Sequence, residues 1–315
     1  MAGITGRGLT YNMPNFVGEL FELTPTDTPF LSAIGGLSGG KETLSTEFQW
    51  QTYDLRDAGQ NTKVEGADAP TAEARIRGSV DNLVQIHQET IDVSYTKQAA
   101  IGQFAGLNIT GSNPVQDEVA FQTQAMLKQI ARDVEYSFIR GQYQKPADNT
   151  TARKTRGILE AITTNVITNG AATALTEKMT LDLMQKIWDN GGIKEQETAT
   201  LIVNSTQKRA LTDIFVTKKG YTEKTRNVGG VSLQTIETDF GSVNIMLNRF
   251  APADQLAVVS LEMCNPTFLL IPGKGFLFLE ELGKTGAAFR YQIYGEIGLE
   301  YGNERAHGKI TGLAV

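Results

Sequence analysis

The stretch that decides the fold runs from Pro114 to Arg140 and has the sequence PVQDEVAFQTQAMLKQIARDVEYSFIR. Asn113 suits the N-cap position, Pro114 suits the first helical position, and Gln116 completes a pattern that resembles a capping box. Gly141 follows directly and is typical of a helix end. Apolar side chains recur at steps of seven and four, at Val119, Met126, Ile130, Val134 and Phe138. At 1.5 Å per residue this helix would be roughly 40 Å long, so we expect a spine helix that spans the subunit.

The C-terminal segment predicts an unusually long strand. Its apolar residues share one parity, at Phe289, Tyr291, Ile293, Ile297, Leu299 and Tyr301. A strand of that length would extend roughly 43 Å. Gly295 lies within the apolar phase, which indicates a bulge or a close approach of another backbone. A long helix laid on a long sheet predicts an elongated α+β lobe.

Shorter elements are expected before and between these two. Residues 1–13 are rich in glycine and poor in apolar side chains, so we expect a flexible arm. After residue 157 the pattern mixes helix and strand, with Thr180 as the expected cap of a short helix. Val231–Ile236 and Val243–Leu247 flank a turn and predict a hairpin.

A second hairpin is predicted nearer the N-terminus, and its tip is unusual. Residues 45–55 alternate as a strand does, residues 56–73 contain almost no large apolar side chain, and residues 76–86 return as a strand. We expect the returning strand to hold its apolar residues in one phase, at Ile76, Val80, Val84 and Ile86. Loops beyond about 12–15 residues are uncommon in compact domains unless they have a function. Two interpretations remain open: a disordered surface insertion, or a β-hairpin that projects onto a neighbouring subunit.

Composition and motifs argue against several classes of protein. The net charge of −6 disfavours a protein that grips nucleic acid through a basic stripe. Cys264 is the only cysteine and the chain has two histidines, so no metal cluster of these residues can form. A glycine cluster before Lys41 resembles a P-loop, but Glu42 stands where a Ser or Thr is required. We therefore expect no catalytic, cofactor-binding or metal-binding site.

The same features bear on localisation. The N-terminus lacks the apolar region of a signal peptide. No run reaches about 18 apolar residues. We therefore expect a soluble protein, made in a cytoplasm and without contact with a membrane.

The order of the predicted elements resembles one known family, and so do the amino-acid sequences of five stretches. The stretches are Thr26–Gly35; Glu47–Thr52; Arg132–Glu135 with Gly141; Thr238–Gly241 with Leu247–Arg249; and Glu280–Gly286 continuing to Gly295-Glu296 and Asn303-Glu304. The order resembles the major capsid fold of tailed bacteriophages, the Hong Kong 97 (Johnson) fold. The amino-acid sequences of these stretches are similar to those of the SU-ten-like branch of major capsid proteins.

The resemblance implies an α+β subunit with five parts. They are an N-terminal arm at 1–42, an E-loop hairpin with flanking strands at 43–98, a P-domain with the spine helix at 99–150, an A-domain at 151–275, and returning P-domain strands at 276–315. It also implies pentamers and hexamers of identical chains that close an icosahedral shell in the virion. The shell would enclose double-stranded DNA without sequence-specific binding.

Other partners are implied as well. The sequence lacks the long helical N-terminal scaffolding segment of some relatives, so we expect a separate scaffolding protein during assembly in the host cytoplasm. A portal protein and, in some shells, a decoration protein would also contact the subunit. An encapsulin-like compartment shell is the alternative with the same fold; a hydrolase or nucleotide-binding enzyme and a secreted β-rich binding module are further alternatives.

The E-loop supplies the candidate contacts between subunits. We expect these at Trp50, Arg56, Lys63, Glu65, Arg75, Arg77 and Asp81. The charges mix both signs, so they could pair with a neighbour and set its register. Exposed ion pairs contribute only about 0–1 kcal/mol each, so the binding energy must come from area and from repeated contacts. The alternative is a charged loop that is merely solvated.

Overall fold

The computed structural model describes residues 23–99, 117–148, 150–193, 199–217, 224–228, 231–283 and 286–315. The arm expected at residues 1–13 and the predicted helix cap at Asn113 lie outside these ranges. No helix in the described ranges is long and apolar enough to cross a membrane.

Six α-helices lie in the described ranges. They are α1 (Pro29–Ala33), α2 (Tyr95–Ala99), α3 (Glu118–Arg140), α4 (Ile158–Ala161), α5 (Glu177–Asp189) and α6 (Ser205–Thr212). A π-helical turn, Asp213–Thr217, follows α6, and 3-10 turns occupy Leu261–Met263 and Glu304–Ala306.

The strands, in chain order, are β1 (Lys41–Thr43), β2 (Glu47–Tyr53), β3 (Arg77–Leu83), β4 (Gln85–Ser94), β5 (Val166–Thr173), β6 (Ala199–Val203), β7 (Lys224–Val228), β8 (Val231–Thr238), β9 (Gly241–Leu247), β10 (Leu256–Val259), β11 (Asn265–Leu269), β12 (Leu277–Glu281), β13 (Ala288–Glu300) and β14 (Gly308–Leu313). Helices and strands are thus mixed along the chain, as the predicted α+β class requires.

The predicted spine helix is present as α3, Glu118–Arg140, and its predicted start at Pro114 lies outside the described residues. The Asp117 carboxylate accepts hydrogen bonds from the amides of Val119 and Ala120, at 2.9 and 3.3 Å, so Asp117 acts as the N-cap. The helix ends before Gly141, as predicted. A Cβ at Gly141 would lie 2.3 Å from the Ser137 carbonyl oxygen, so only glycine fits there.

The chain divides into two compact units. The first contains Met1–Thr26, Gln88–Gln129 and Leu279–Ile293, and the second contains the remainder. In the first unit, Arg290 forms an ion pair with Asp92 at 2.7 Å, and the rings of Tyr95 and Phe289 meet edge to face at 4.9 Å. The second unit contains both the E-loop hairpin and the residues around Glu135.

In the second unit a seven-stranded sheet has the order β5-β14-β10-β6-β9-β8-β7. All five residues of the central strand β6 are buried, because other elements cover both faces of the sheet at this strand. The predicted hairpin is formed by β8 and β9. The helix expected from Thr180 begins earlier, at Glu177, because Thr176 provides the N-cap and accepts from the Met179 amide at 3.3 Å. Thr180 itself is buried.

The long C-terminal strand is confirmed as β13, which has 13 residues and belongs to a sheet of order β1-β11-β13-β12. Ile293, Ile297 and Leu299 are buried, as predicted, but so is Glu296 on the opposite parity, so the second half of the strand is buried on both faces. The close approach predicted at Gly295 is also found. A Cβ there would lie 2.8 Å from Leu277 Cδ1 and 3.0 Å from the Phe276 carbonyl oxygen.

The E-loop hairpin is formed by β2 and β3, which pair antiparallel from Glu47↔Leu83 to Tyr53↔Arg77 and form a two-stranded sheet of their own. The predicted single phase of the returning strand is wrong. Ile76 and Ile86 are exposed, whereas Leu83 and Val84 are both buried. The chain breaks its strand pairing at Val84, between β3 and β4, and this shifts the alternation by one residue.

Candidate intersubunit surface

The hairpin tip, residues 54–76, has no helix or strand and every residue in it is exposed. Three aliphatic side chains in it remain in solvent: Leu55, Val64 (79% exposed) and Ile76 (85% exposed). Tyr53, at the last position of β2, is exposed as well. Single exposed apolar residues are ordinary, but a projecting segment that carries several of them is a candidate binding surface.

Four of the seven predicted contact residues lie on this tip: Arg56, Lys63, Glu65 and Arg75. Their bonds to the chain itself are short-range. Arg75 pairs with Glu73 at 3.1 Å, and Arg56 donates to the carbonyl oxygen of its neighbour Asp57 at 3.1 Å. Exposed pairs of this kind contribute little to stability. These four charges are placed where a neighbour could reach them, and their contact role stays a prediction.

The other three predicted residues lie on the paired strands of the hairpin, where they bond to their own chain. The Trp50 indole donates to the Gly302 carbonyl oxygen at 2.7 Å, and Arg77 donates to Gln51 on the paired strand at 3.0 Å. The Asp81 carboxylate accepts a hydrogen bond from the Tyr143 hydroxyl. The structure thus places four of the predicted residues on the exposed tip, ties Trp50 and Asp81 to the rest of the subunit, and bonds Arg77 to the neighbouring strand of the hairpin.

A group of side chains that the sequence did not indicate surrounds the base of the hairpin. The Arg156 guanidinium lies over the Tyr143 ring, 4.2 Å from its centroid, and donates to the Tyr301 hydroxyl at 3.0 Å. The Tyr301 ring in turn meets the Trp50 ring edge to face at 4.8 Å. Burial and the hydrogen bond to Asp81 raise the pKa of Tyr143 to about 12, so its hydroxyl stays protonated and donates.

A second junction lies on the spine helix, at the fully buried Glu135. One carboxylate oxygen accepts from the Phe30 amide at 2.9 Å and from the Asn248 side chain, and the other accepts from the Leu31 amide at 2.6 Å. These two amides open α1, whose N-cap residue Thr28 makes no capping bond with its side chain. Burial raises the pKa of Glu135 to about 7, against the three hydrogen bonds, which act to lower it.

This junction joins three of the stretches that carry the family resemblance. Glu135, Phe30 and Asn248 each belong to a different one of them. Beside the junction, Arg249 pairs with Asp27 at 3.1 Å. The sequence offered one signal: Glu135 is a carboxylate next to Val134 on the apolar face of α3. Its partners, more than a hundred residues away, could not be found from spacing.

Both histidines are buried. His307 Nδ1 accepts from the Ser260 amide at 3.1 Å, so Nε2 carries the proton and faces the Tyr301 carbonyl oxygen at 2.8 Å. Burial lowers the pKa of both rings, that of His87 to about 4. Among the residues that the structure describes, no group of three or more His, Cys, Asp or Glu side chains could hold a metal ion.

Solved structures that are similar to this chain include subunits of phage capsids and of an encapsulin. The chain is similar to the capsid protein of Cyanophage A-1(L), at 10% identity and a TM-score of 0.67, with 99% of this chain and 100% of that chain covered. It is similar to the capsid protein of Myoviridae phage XM1, at 14% identity, 99% coverage of each chain and a TM-score of 0.56. It is also similar to the SrpI encapsulin of Synechococcus elongatus PCC 7942, at 14% identity, 96% and 93% coverage and a TM-score of 0.60. The predicted Hong Kong 97 fold is therefore confirmed.

The fold alone does not separate a phage capsid from an encapsulin, but the family does. A family model described as SU10 major capsid protein matches residues 3–314, and the chain belongs to that family. It is a major capsid protein, a component of the virion shell. No curated protein sequence matches it significantly.

Proposed function

We propose that this chain assembles as pentamers and hexamers of identical copies into an icosahedral shell that encloses double-stranded phage DNA. The observation that carries the proposal is the hairpin tip, residues 54–76, every residue of which is exposed in the part of the chain that the structure describes. In a ring of identical subunits each tip can lie on the next copy, and the same contact recurs at every position.

The aliphatic side chains of the tip are the better source of binding energy. Full burial of Leu55, Val64 and Ile76 would contribute roughly 1.5–3 kcal/mol each. The exposed charges of the tip would contribute about 0–1 kcal/mol each, so we assign them the register of the contact. Because one contact of this size is weak, the stability of the shell would come from its repetition.

The remaining partners follow from the same proposal. With a net charge of −6, the subunit would enclose DNA without sequence-specific binding. We propose a structural role without catalytic activity or cofactor, in line with the buried, hydrogen-bonded His307. A separate scaffolding protein during assembly in the host cytoplasm, a portal protein and a decoration protein are proposed partners.

The competing proposal is an encapsulin-like compartment shell, since the SrpI encapsulin has the same fold. The family match favours the phage capsid. Terminase and portal genes beside the coding gene would support the phage role, and a gene for an enzyme cargo in their place would support a compartment.

The test is assembly of the full chain, with and without a scaffolding partner, followed by negative-stain microscopy and sedimentation. We expect uniform closed shells. A variant with Leu55, Val64 and Ile76 changed to Ser should fold but not assemble. A second variant, with Arg56, Lys63 and Glu65 changed to Ser, should still associate but form irregular shells with an altered dependence on salt, because these charges are proposed to set the register. A wild-type chain that stays monomeric under every condition would refute the proposal.

A further inference from the structure

We propose that Arg156 is a positioning residue: it fixes the direction in which the E-loop hairpin leaves the subunit. The inference deepens the proposed function, because it concerns how the tip is aimed at the neighbouring copy. It rests on contacts at the hairpin base that lie within one compact unit.

One face of the hairpin base is held through Trp50 on β2. Its indole donates to the Gly302 carbonyl oxygen at 2.7 Å, and its ring packs on Tyr301 at 4.8 Å. Phe48, two residues earlier on the same face, has its ring centroid 6.0 Å from that of Trp50. This face is therefore anchored on the segment that follows β13.

The opposite face is held by the loop that follows α3. Asp81 on β3 accepts from the Tyr143 hydroxyl, and Glu47 on β2 forms an ion pair with Lys145 at 2.6 Å. Gln49 and Asp81 are direct partners across the two strands, so this face is one continuous surface. The base thus has a support on each side.

Arg156 connects the two supports. Its guanidinium lies over the ring of Tyr143 on one side and donates to the hydroxyl of Tyr301 on the other. Its backbone also joins the hairpin, because its amide donates to Asn82 Oδ1 at 2.8 Å and its carbonyl oxygen accepts from Asn82 Nδ2 at 3.1 Å. The contacts form a closed circuit from β3 through Tyr143, Arg156 and Tyr301 to β2.

Orientation at the base matters because the hairpin acts as a lever. Two strands without further neighbours are marginally stable on their own, and among the described strands β2 and β3 pair only with each other. Seven residues of strand extend about 23 Å, so a tilt of about 10° at the base moves the far end by about 4 Å. Apolar contacts require heavy atoms within about 4.0–4.5 Å, so such a displacement would break them.

Arginine is specifically suited to this position. Its planar guanidinium can stack on the Tyr143 ring and donate along its edge to Tyr301 at the same time. Lysine keeps the charge but has no plane to stack. Arg156→Lys should therefore loosen the circuit without removing the charge. Tyr143→Phe removes only the hydroxyl that binds Asp81 and tests the same circuit with a smaller change.

The experiment measures hairpin direction in the free chain by pulsed dipolar spectroscopy between two spin labels. The labels replace two exposed residues, Tyr53→Cys on β2 and Gln185→Cys on α5, while Cys264 is buried and stays unlabelled. We expect a single narrow distance distribution in the parent and a broad one in Arg156→Lys and Tyr143→Phe. The matched control is Arg249→Lys, which loosens an exposed ion pair to Asp27 that involves no hairpin residue and should leave the distribution narrow.

Assembly gives the second readout. The critical concentration for shells should rise about tenfold in Arg156→Lys, as for a loss of about 1.4 kcal/mol, with the melting temperature of the free chain little changed. Unbroadened distributions in both circuit variants would overturn the proposal, as would equal broadening in the control. If the labels respond but the parent chain never assembles, the positioning role stands and the proposed shell function fails.

Discussion

Replacement of Glu135 by Gln should make the stability of the subunit less dependent on pH. The ordinary pKa of this carboxyl is 4.5 and burial raises it to about 7 in the folded chain. The folded state therefore holds the proton more tightly than the unfolded state. The stability contributed by this difference is fully present below pH 4.5 and is lost as the pH rises through 7. At 1.36 kcal/mol per pKa unit, the loss between pH 5 and pH 8 is roughly 2.5 kcal/mol.

The hydrogen bonds to Glu135 determine how much the substitution changes the free energy of unfolding at a given pH. Three N–H donors, from Phe30, Leu31 and Asn248, meet the two oxygens of Glu135. Gln has one oxygen and one NH₂ group, so one donor would face another donor. A buried donor left unsatisfied costs about 1–3 kcal/mol. At pH 5 the variant should be less stable than the parent by about that amount, and by pH 8 the difference should close.

The assay is urea unfolding of the free chain at pH 5, 6, 7 and 8, for the parent, for Glu135→Gln and for the exposed control Glu160→Gln. Between pH 5 and pH 8, the free energy of unfolding of the parent and of the control should each fall by roughly 2.5 kcal/mol more than that of Glu135→Gln. Parallel pH profiles for all three proteins would refute the account of Glu135 as a proton-linked anchor of α1.

Three further substitutions test the packing around these sites. Phe138→Ala, in the buried stripe of α3, should lower the free energy of unfolding by about 3–5 kcal/mol, and a loss under about 1 kcal/mol in urea unfolding would contradict its burial. Gly141→Ala places a Cβ 2.3 Å from the Ser137 carbonyl oxygen, so the melting temperature of the free chain should fall clearly; an unchanged value would show that the helix end can shift. Arg249→Ala removes only an exposed pair with Asp27 and should cost about 0–1 kcal/mol in the same urea assay, so a larger loss would assign this pair a greater role.

The elements that the sequence predicted best are those whose signal is local and repeated. The apolar stripe of α3 and the alternation of β13 each recur over many residues, and both elements were found. Their boundaries depend on single side chains. The helix α5, for example, is capped by Thr176 and not by Thr180, which the pattern favoured.

The hairpin illustrates a different limit. Its two strands and its polar tip were predictable, because alternation and composition change sharply at residues 56 and 76. The shift of phase at Val84 was not, since it arises where the chain passes from β3 to β4 and each strand packs separately.

The junctions at Arg156 and Glu135 could not be predicted from the sequence. Phe30 and Glu135 are separated by 105 residues, and Arg156 and Tyr301 by 145. Contacts of this kind depend on how completed elements meet. Each of the three stretches that meet at Glu135 resembles the family in its own amino-acid sequence. Nothing in their order along the chain indicated that they share a buried carboxylate.

Hydrogen exchange at residues 54–76, compared between the free chain and purified shells, tests most directly whether neighbouring copies cover the hairpin tip. The account predicts rapid exchange of these amides in the free chain and strong protection in the shell, with little change in the buried strand β6. Equal exchange of the tip in both states would contradict it.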